Sequence, residues 1–443
     1  MNFLTDNPKQ LYSRFLVASM TSALVMSVYS FVDAIAVGQS EGELGAAAMA
    51  VITPLYGIII FLAILCGIGG SVLMSNAKGE GKEEKGNAYF TASLLIMGLL
   101  TAIAWVGLAL FHKQIFTFFG ADETIMPKLM EYAKWLIWTF PVFVVPTFLG
   151  SFIRNDGAPT LAMAAVIIGG CINIFGDWFL CFPLDMGMEG AAIASVTGTT
   201  VQGLIMFSHF FRKKCGLKLV KPFDMGKGVR KILEIGFGAS VLDLGVVIIS
   251  VLMNNQIMKY GGTVELAVYG VAATVASLFQ ALFSGVGQAI QPLVSVNFGA
   301  GENDRVKRFW KMSLTTVLVL GVIFTAIGEL FPTQIVRLFV DVTPEMLTAA
   351  PTIIRLHFLY FLFLGITVLA TYYLQSIMQD KMSMVIALLR SVAISTLMLF
   401  TLPMLLKING IWLALPVSEC IVAVFALLYI STNRKYQTSR NIK

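Results

Sequence analysis

Apolar runs of about twenty residues, separated by short polar stretches, recur along the whole chain. That length is what an α-helix needs to cross the hydrocarbon core of a bilayer. In hydrocarbon every backbone N–H and C=O must find its partner inside the protein, so runs of this length are read as spanning helices. Hydropathy places twelve of them at roughly 11–38, 46–74, 88–111, 130–153, 160–182, 189–211, 232–258, 265–298, 310–331, 350–378, 383–406 and 410–431. With 57% of 443 residues hydrophobic and 13% charged, the chain holds more apolar surface than a water-soluble fold could bury. The opening "MNFLTDNPKQ" has neither the basic start nor the cleavage site of a signal peptide, so the first run is expected to stay as a helix.

The connections are short and leave no room for a separate soluble domain. The longest basic one, 212–231, divides the chain into expected six-helix lobes at 1–211 and 232–443. Numbering the loops alternately gives 23 Lys and Arg on the side that holds both termini and seven on the other, with Arg390 inside a span. The positive-inside rule then places both termini in the cytoplasm of a cell (plasma or inner) membrane. The same loop bias explains the net charge of +6, so no nucleic-acid partner is expected. Membrane lipid is the expected surrounding, and the protein is expected to act as a monomer. Cys66, Cys171, Cys181, Cys215 and Cys420 show no CxxC spacing and read as packing residues.

The two halves repeat. "GIGGSVLMSNAKGEG" from Gly67 parallels "GQAIQPLVSVNFGAG" from Gly287 at an offset of 220 residues, and Met188–Gly190 parallels Ile408–Gly410 at the same offset. Leu44 pairs with Leu266 at 222 and Asn155 with Gln379 at 224. Six spans per half is an even number, so both halves enter the membrane in the same direction. They are therefore expected to be parallel repeats about a pseudo-twofold axis along the membrane normal, an arrangement suited to alternating access.

Against this apolar background a few polar side chains stand out. An ionised carboxylate at the bilayer centre costs about 2.5–3.5 kcal/mol on the most lenient scale. Asp33 lies in the first span with Tyr29 one helical turn before it. Asp177 lies mid-span in "GGCINIFGDWFLCF" with Asn173 on the same face. Carboxylate and amide oxygens suit a hard cation such as Na⁺, and a buried carboxyl suits a proton. The repeat carries Asn173 and Asp177 into Ser391–Thr401, which holds no carboxylate, so the coupling site is expected in the first half. Asp243 in the seventh span is the rival. Arg390 is read as reaching back to the membrane surface, Glu419 has no assigned role, His112 and His209 are expected at the interface, and His357 is a minor candidate.

No G-x-x-x-x-G-K-[ST] loop, H-E-x-x-H or diphosphate-binding acidic cluster occurs. This argues against an ATP-driven pump and against a membrane-embedded enzyme, and points to an ion gradient as the energy source. The stretches "FVDAIAVGQSEGELGAAAMAV", "GGSVLMSNAKGEGKEEKG", "SFIRNDGAPTLAM", "NIFGDWFLCFPLDMGMEGAAIAS" and "QPLVSVNFGAGENDRVKR" resemble the multidrug and toxic compound extrusion (MATE) family over nearly the full length. The resemblance implies export of small lipophilic organic cations in exchange for Na⁺ or H⁺, with no other cofactor. It also implies a cation site in the N-terminal lobe made by Asp33, Asn173, Asp177, Tyr29 and Ser195, the last standing where the family run "GAAIAT" has threonine. The first span lacks the proline proposed to let that helix bend in some members, and the tenth lacks the acid of the branch whose site is C-terminal. A lipid or glycolipid-precursor flippase of the same superfamily is the alternative; its diphosphate ligands would call for a cavity rich in Arg and Lys.

Overall fold

The computed structural model describes residues 2–121, 123–221, 225–339 and 343–432. Among these the secondary structure is helical, with no strand. The first half holds α1 (Pro8–Gly79), α2 (Glu83–Phe118), α3 (Ile125–Asn155), α4 (Pro159–Cys181) and α5 (Gly187–Phe207). The second holds α6 (Met225–Tyr260), α7 (Thr263–Gly299), α8 (Asn303–Leu330), α9 (Pro332–Phe339), α10 (Pro344–Phe358), α11 (Phe361–Ser376), α12 (Asp380–Leu388), α13 (Ile394–Leu406) and α14 (Ile408–Thr432). Two compact units result, one of Val17–Ser240 and one of Asn2–Leu16 with the chain from Val241 onward.

Eleven stretches among the described residues are long and apolar enough to cross a membrane. The seventh expected span, 232–258, falls within α6, some of whose residues lie outside the described set. Where the sequence suggests a loop at 39–45, helical hydrogen bonding runs on through "QSEGELG", which contains no proline to interrupt it. The partners of α1 show that it nonetheless doubles back there. Asp33 reaches Ser195 and Glu41 reaches the Met188 N–H, moving toward the start of α5. Tyr56, Gly67 and Ser75 then meet Tyr132, Ser151 and Asn155 in turn, following α3 toward its end.

The duplication is visible in backbone detail. α1 and α7 end with left-handed glycines, Gly81 (φ 77°) and Gly301 (φ 78°). Each is followed by the same long hydrogen bond, Lys82 N–H to Ala77 C=O and Glu302 N–H to Asn297 C=O, both 2.9 Å. Gly187 (φ 48°) and Lys407 (φ 53°) open the last helix of each half at the same offset of 220 residues. One pairing is corrected. The turn after α3 has its left-handed residue at Gly157 and the turn after α11 at Met378, an offset of 221, so Asn155 corresponds to Ser376 and not to Gln379.

The core of the second unit is aromatic. Phe279 stacks on Phe324 at 4.0 Å between ring centroids, and Phe358 and Phe361 meet them edge-on. In the first unit α4 and α5 approach more closely than side chains normally allow, and this contact builds the site described next.

Candidate functional site

A methyl group on Gly169 would lie 2.7 Å from the Gly198 carbonyl oxygen. One on Gly198 would lie 2.6 Å from the Gly169 oxygen, and one on Gly176 would lie 2.8 Å from the Ala194 Cβ. The small residues of "GGCINIFGDW" and "GAAIASVTG" thus bring two backbones together, the usual means of helix association in membranes. Asn173 falls between Gly169 and Gly176 on the contact face and so meets α5. Its Nδ2 donates to Ser195 Oγ at 3.1 Å.

Ser195 is the junction of the site. Its hydroxyl donates to Asp33 Oδ1 at 3.4 Å and accepts from Tyr132 at 3.4 Å. Tyr132 in turn shares a 2.7 Å hydrogen bond with Tyr56. Asp33, Asn173, Tyr132 and Ser195 are all buried, and Asp177 is 0% exposed, within electrostatic range of Asp33. Both oxygens of Asp177 and the Oδ1 of Asn173 are buried without a protein partner. Buried acceptors are nearly always satisfied, and an isolated buried carboxylate is prohibitively costly. Oxygens of Asp33, Asn173, Asp177 and Ser195 suit a hard cation, and the same carboxyls suit a proton.

The structure therefore brings Asp33, Asn173, Asp177 and Ser195 to one place. Tyr29 packs against Gly170 of α4, one turn before Asn173. Asp243 lies outside the described residues as far as its side chain is concerned. Tyr56 and Tyr132 were not anticipated; the only sequence signal for them is a hydroxyl inside an apolar run.

Two expectations about basic residues are corrected. Arg390 does not reach for the surface: it is 8% exposed and donates through Nε to Glu419 Oε1 at 2.5 Å. The second half is thus not free of a buried carboxylate, since α14 supplies one from outside Ser391–Thr401. His209, expected at the interface, is buried, with Nε2 2.8 Å from Asp156 Oδ2. Asp156 also accepts from Lys78 at 2.6 Å and from the Gly216 N–H at 2.8 Å, tying the end of α1 and the basic connection after α5 to the turn after α3. Burial alone would raise this carboxyl. The hydrogen bond from His209 and the charge and hydrogen bond of Lys78, with the Gly216 amide, outweigh it and hold Asp156 below the ordinary carboxylate range. Asp156, His209 and Cys215 lie within 4.8 Å of one another, but the Lys78 ammonium already supplies the positive charge there. The five cysteines are free thiols.

The MatE family model matches residues 18–179 and again 240–401, one copy in each half at an offset of 222. The multidrug export protein MepA of Staphylococcus saprophyticus is 24% identical over 427 residues, covering 94% of this chain and 92% of that protein. The probable multidrug resistance protein YoeA of Bacillus subtilis is 26% identical over 348 residues, covering 74% and 72%. A structure described as the outward-facing conformation of a multidrug resistance MATE family transporter superposes with a TM-score of 0.90 over 98% of both chains at 20% identity. A transporter of the MOP superfamily from Pyrococcus furiosus gives 0.90 at 19% identity, over 99% of this chain and 98% of that one. At these identities the superpositions establish the shared fold.

Proposed function

Because this chain belongs to the MatE family, we propose that it expels lipophilic organic cations from the cytoplasm in exchange for Na⁺ or a proton bound at Asp33, Asn173 and Asp177. Family membership makes it a multi-pass membrane transporter and not an enzyme. The names of its relatives, multidrug export protein and probable multidrug resistance protein, support drugs as the cargo. The excess of Lys and Arg in alternate loops supports a cell membrane location with both termini in the cytoplasm.

One observation carries the coupling reading: Asp177 is fully buried beside Asn173, and three of their oxygens have no protein partner. A group in that state needs a proton or a cation. Binding and release of that ion alter the local charge of the first unit, and any difference in ion affinity between two conformations shifts their populations. A drug that favours the other conformation is then exchanged for the ion without touching it.

The test is ethidium efflux from proteoliposomes of the purified protein under separately imposed Na⁺ and proton gradients. One of the two gradients is expected to accelerate efflux. Efflux indifferent to both would rule out cation antiport.

A further inference from the structure

The second unit holds a partly open cavity of about 220 Å³ bordered by Tyr269, His357, Tyr360, Arg390, Ser395 and Glu419, among others. Ser395 stands 222 residues after Asn173, the offset that separates the two family-model matches. The cavity thus includes the duplicated counterpart of one residue of the candidate ion site, with a hydroxyl where that site has an amide.

We propose that this cavity is a binding site for a small zwitterion, a free α-amino acid with an aromatic side chain. The proposal goes beyond the exporter reading and does not depend on it.

The argument starts from the backbone. Residues Leu389–Ala393 form a single π-turn, a distortion frequent at functional sites. Ser395 Oγ donates to the Arg390 carbonyl at 2.5 Å, which ties down one end of the distortion. On the far side, a methyl group on Gly245 of α6 would collide with the Ser391 side chain, so only glycine lets α6 close the wall there. The π-turn holds Arg390 at the cavity edge, buried and spent only in part. Its Nε binds Glu419, and among the described residues its two terminal nitrogens make no hydrogen bond. A guanidinium presents those donors as a planar fork that fits a carboxylate.

Glu419 is likewise half used. Its oxygens accept from Arg390 Nε at 2.5 Å and from Thr367 at 2.6 Å, and each carboxylate oxygen keeps a second acceptor position. An ammonium group fits there. The Arg390–Glu419 pair is formally neutral, so a ligand of single charge would add an uncompensated charge in a low-dielectric site, whereas a zwitterion adds none. The two partners touch, so the ligand's carboxylate and ammonium must also be adjacent, as they are on one α-carbon.

The remainder of the space is mostly apolar and aromatic, with Ser250, Ser277, Gln280 and Ser391 as its other polar borders. The His357 ring lies 5.4 Å from Tyr269 and 5.1 Å from Tyr360 between centroids, and Ile249, Ala273 and Leu415 border the rest. Such walls suit a planar ring. The volume lies below the about 300–1,000 Å³ typical of pockets for drug-sized ligands, which favours a molecule of amino-acid size.

The experiment is calorimetric titration of the purified full-length protein in detergent with three probes of one skeleton: L-phenylalanine, 2-phenylethylamine and 3-phenylpropanoate. Phenylalanine is expected to bind at least tenfold more tightly than either singly charged analogue. Equal affinities, or no saturable heat with phenylalanine, overturn the proposal. The double variant Arg390→Gln/Glu419→Gln removes both charges at nearly constant volume and is expected to lose at least tenfold in phenylalanine affinity. Should it fail to fold, Ala273→Leu keeps the ion pair and fills the cavity from α7, with the same loss expected. Wild-type affinity in either folded variant also overturns it. The assay involves no transport, so a negative result removes this site and leaves the exporter reading standing.

Discussion

Asn173 Nδ2 donates to Ser195 Oγ across 3.1 Å, and in doing so leaves its own Oδ1 buried and bare beside Asp177. One amide thus joins α4 to α5 with its donor end and contributes an acceptor to the site with the other. The relationship separates what the scaffold needs, the donor end, from what an ion would use.

Replacing Asp177 by Asn is expected to abolish gradient-driven ethidium efflux while leaving membrane insertion and thermal stability in detergent at or above wild type, because a neutral amide is less costly than a carboxylate in the membrane interior. Asp33→Asn is expected to do the same. Asp243→Asn should reduce efflux less than Asp177→Asn, and the reverse order would move the coupling site to the second unit.

Ser195 supplies one oxygen to three partners. Ser195→Ala strands them, at a cost of about 1–3 kcal/mol for the groups left unsatisfied, and is expected to lower both the melting temperature and efflux. Ser195→Thr keeps the hydroxyl and should transport at close to the wild-type rate. Efflux assays on the two variants side by side distinguish a role for the oxygen from a requirement for small size.

The approach of α4 to α5 can be tested by size alone. In Gly198→Val the new side chain must meet the Gly169 oxygen and the Asn173 Cβ, and overpacking of this kind costs about 1–3 kcal/mol. Efflux should fall because Asn173 and Ser195 are forced apart. Gly203→Ala on the same helix meets only Pro146 at an ordinary 3.7 Å and should match wild type in melting temperature and efflux.

Asp156 predicts a pH signature. Its carboxyl lies below the ordinary range in the folded protein, so its ionised form stabilises the fold above the unfolded value of about 3.9. That contribution is lost as pH falls through the lower folded value. Asp156→Asn should cost about 3 kcal/mol at neutral pH, typical for breaking a buried ion pair. The gap in melting temperature between wild type and variant is expected to narrow as pH falls below about 3.9 and to close only below the lower folded value.

The membrane class, the spans and the duplication were legible because hydropathy and glycine spacing are local signals. Gly81 and Gly301 could be matched from sequence since both are glycines in a shared motif. The turn at Met378 could not, because a methionine there gives no hint of a left-handed backbone, and the Asn155 alignment slipped by three residues. Asp33, Asn173 and Asp177 were legible as costly groups in apolar runs. Tyr56 and Tyr132 were not, since tyrosine in a membrane helix is ordinary. Arg390 was misread because its partner lies 29 residues away on another helix, and a snorkelling geometry fits any basic residue within reach of a helix end.

The central claim, that the cluster around Asp177 binds the coupling ion, is tested most directly by linkage. Drug affinity of the purified protein in detergent is titrated against pH and against Na⁺, in wild type and in Asp177→Asn. An effector that favours the drug-releasing state weakens drug binding by the factor by which drug weakens its own. For a coupling of about 1–3 kcal/mol that factor is roughly 5 to 150. The account predicts that wild-type drug affinity falls by such a factor as the coupling ion rises and that the variant's stays flat. A wild-type curve as flat as the variant's would mean that Asp33, Asn173 and Asp177 hold helices together and nothing more.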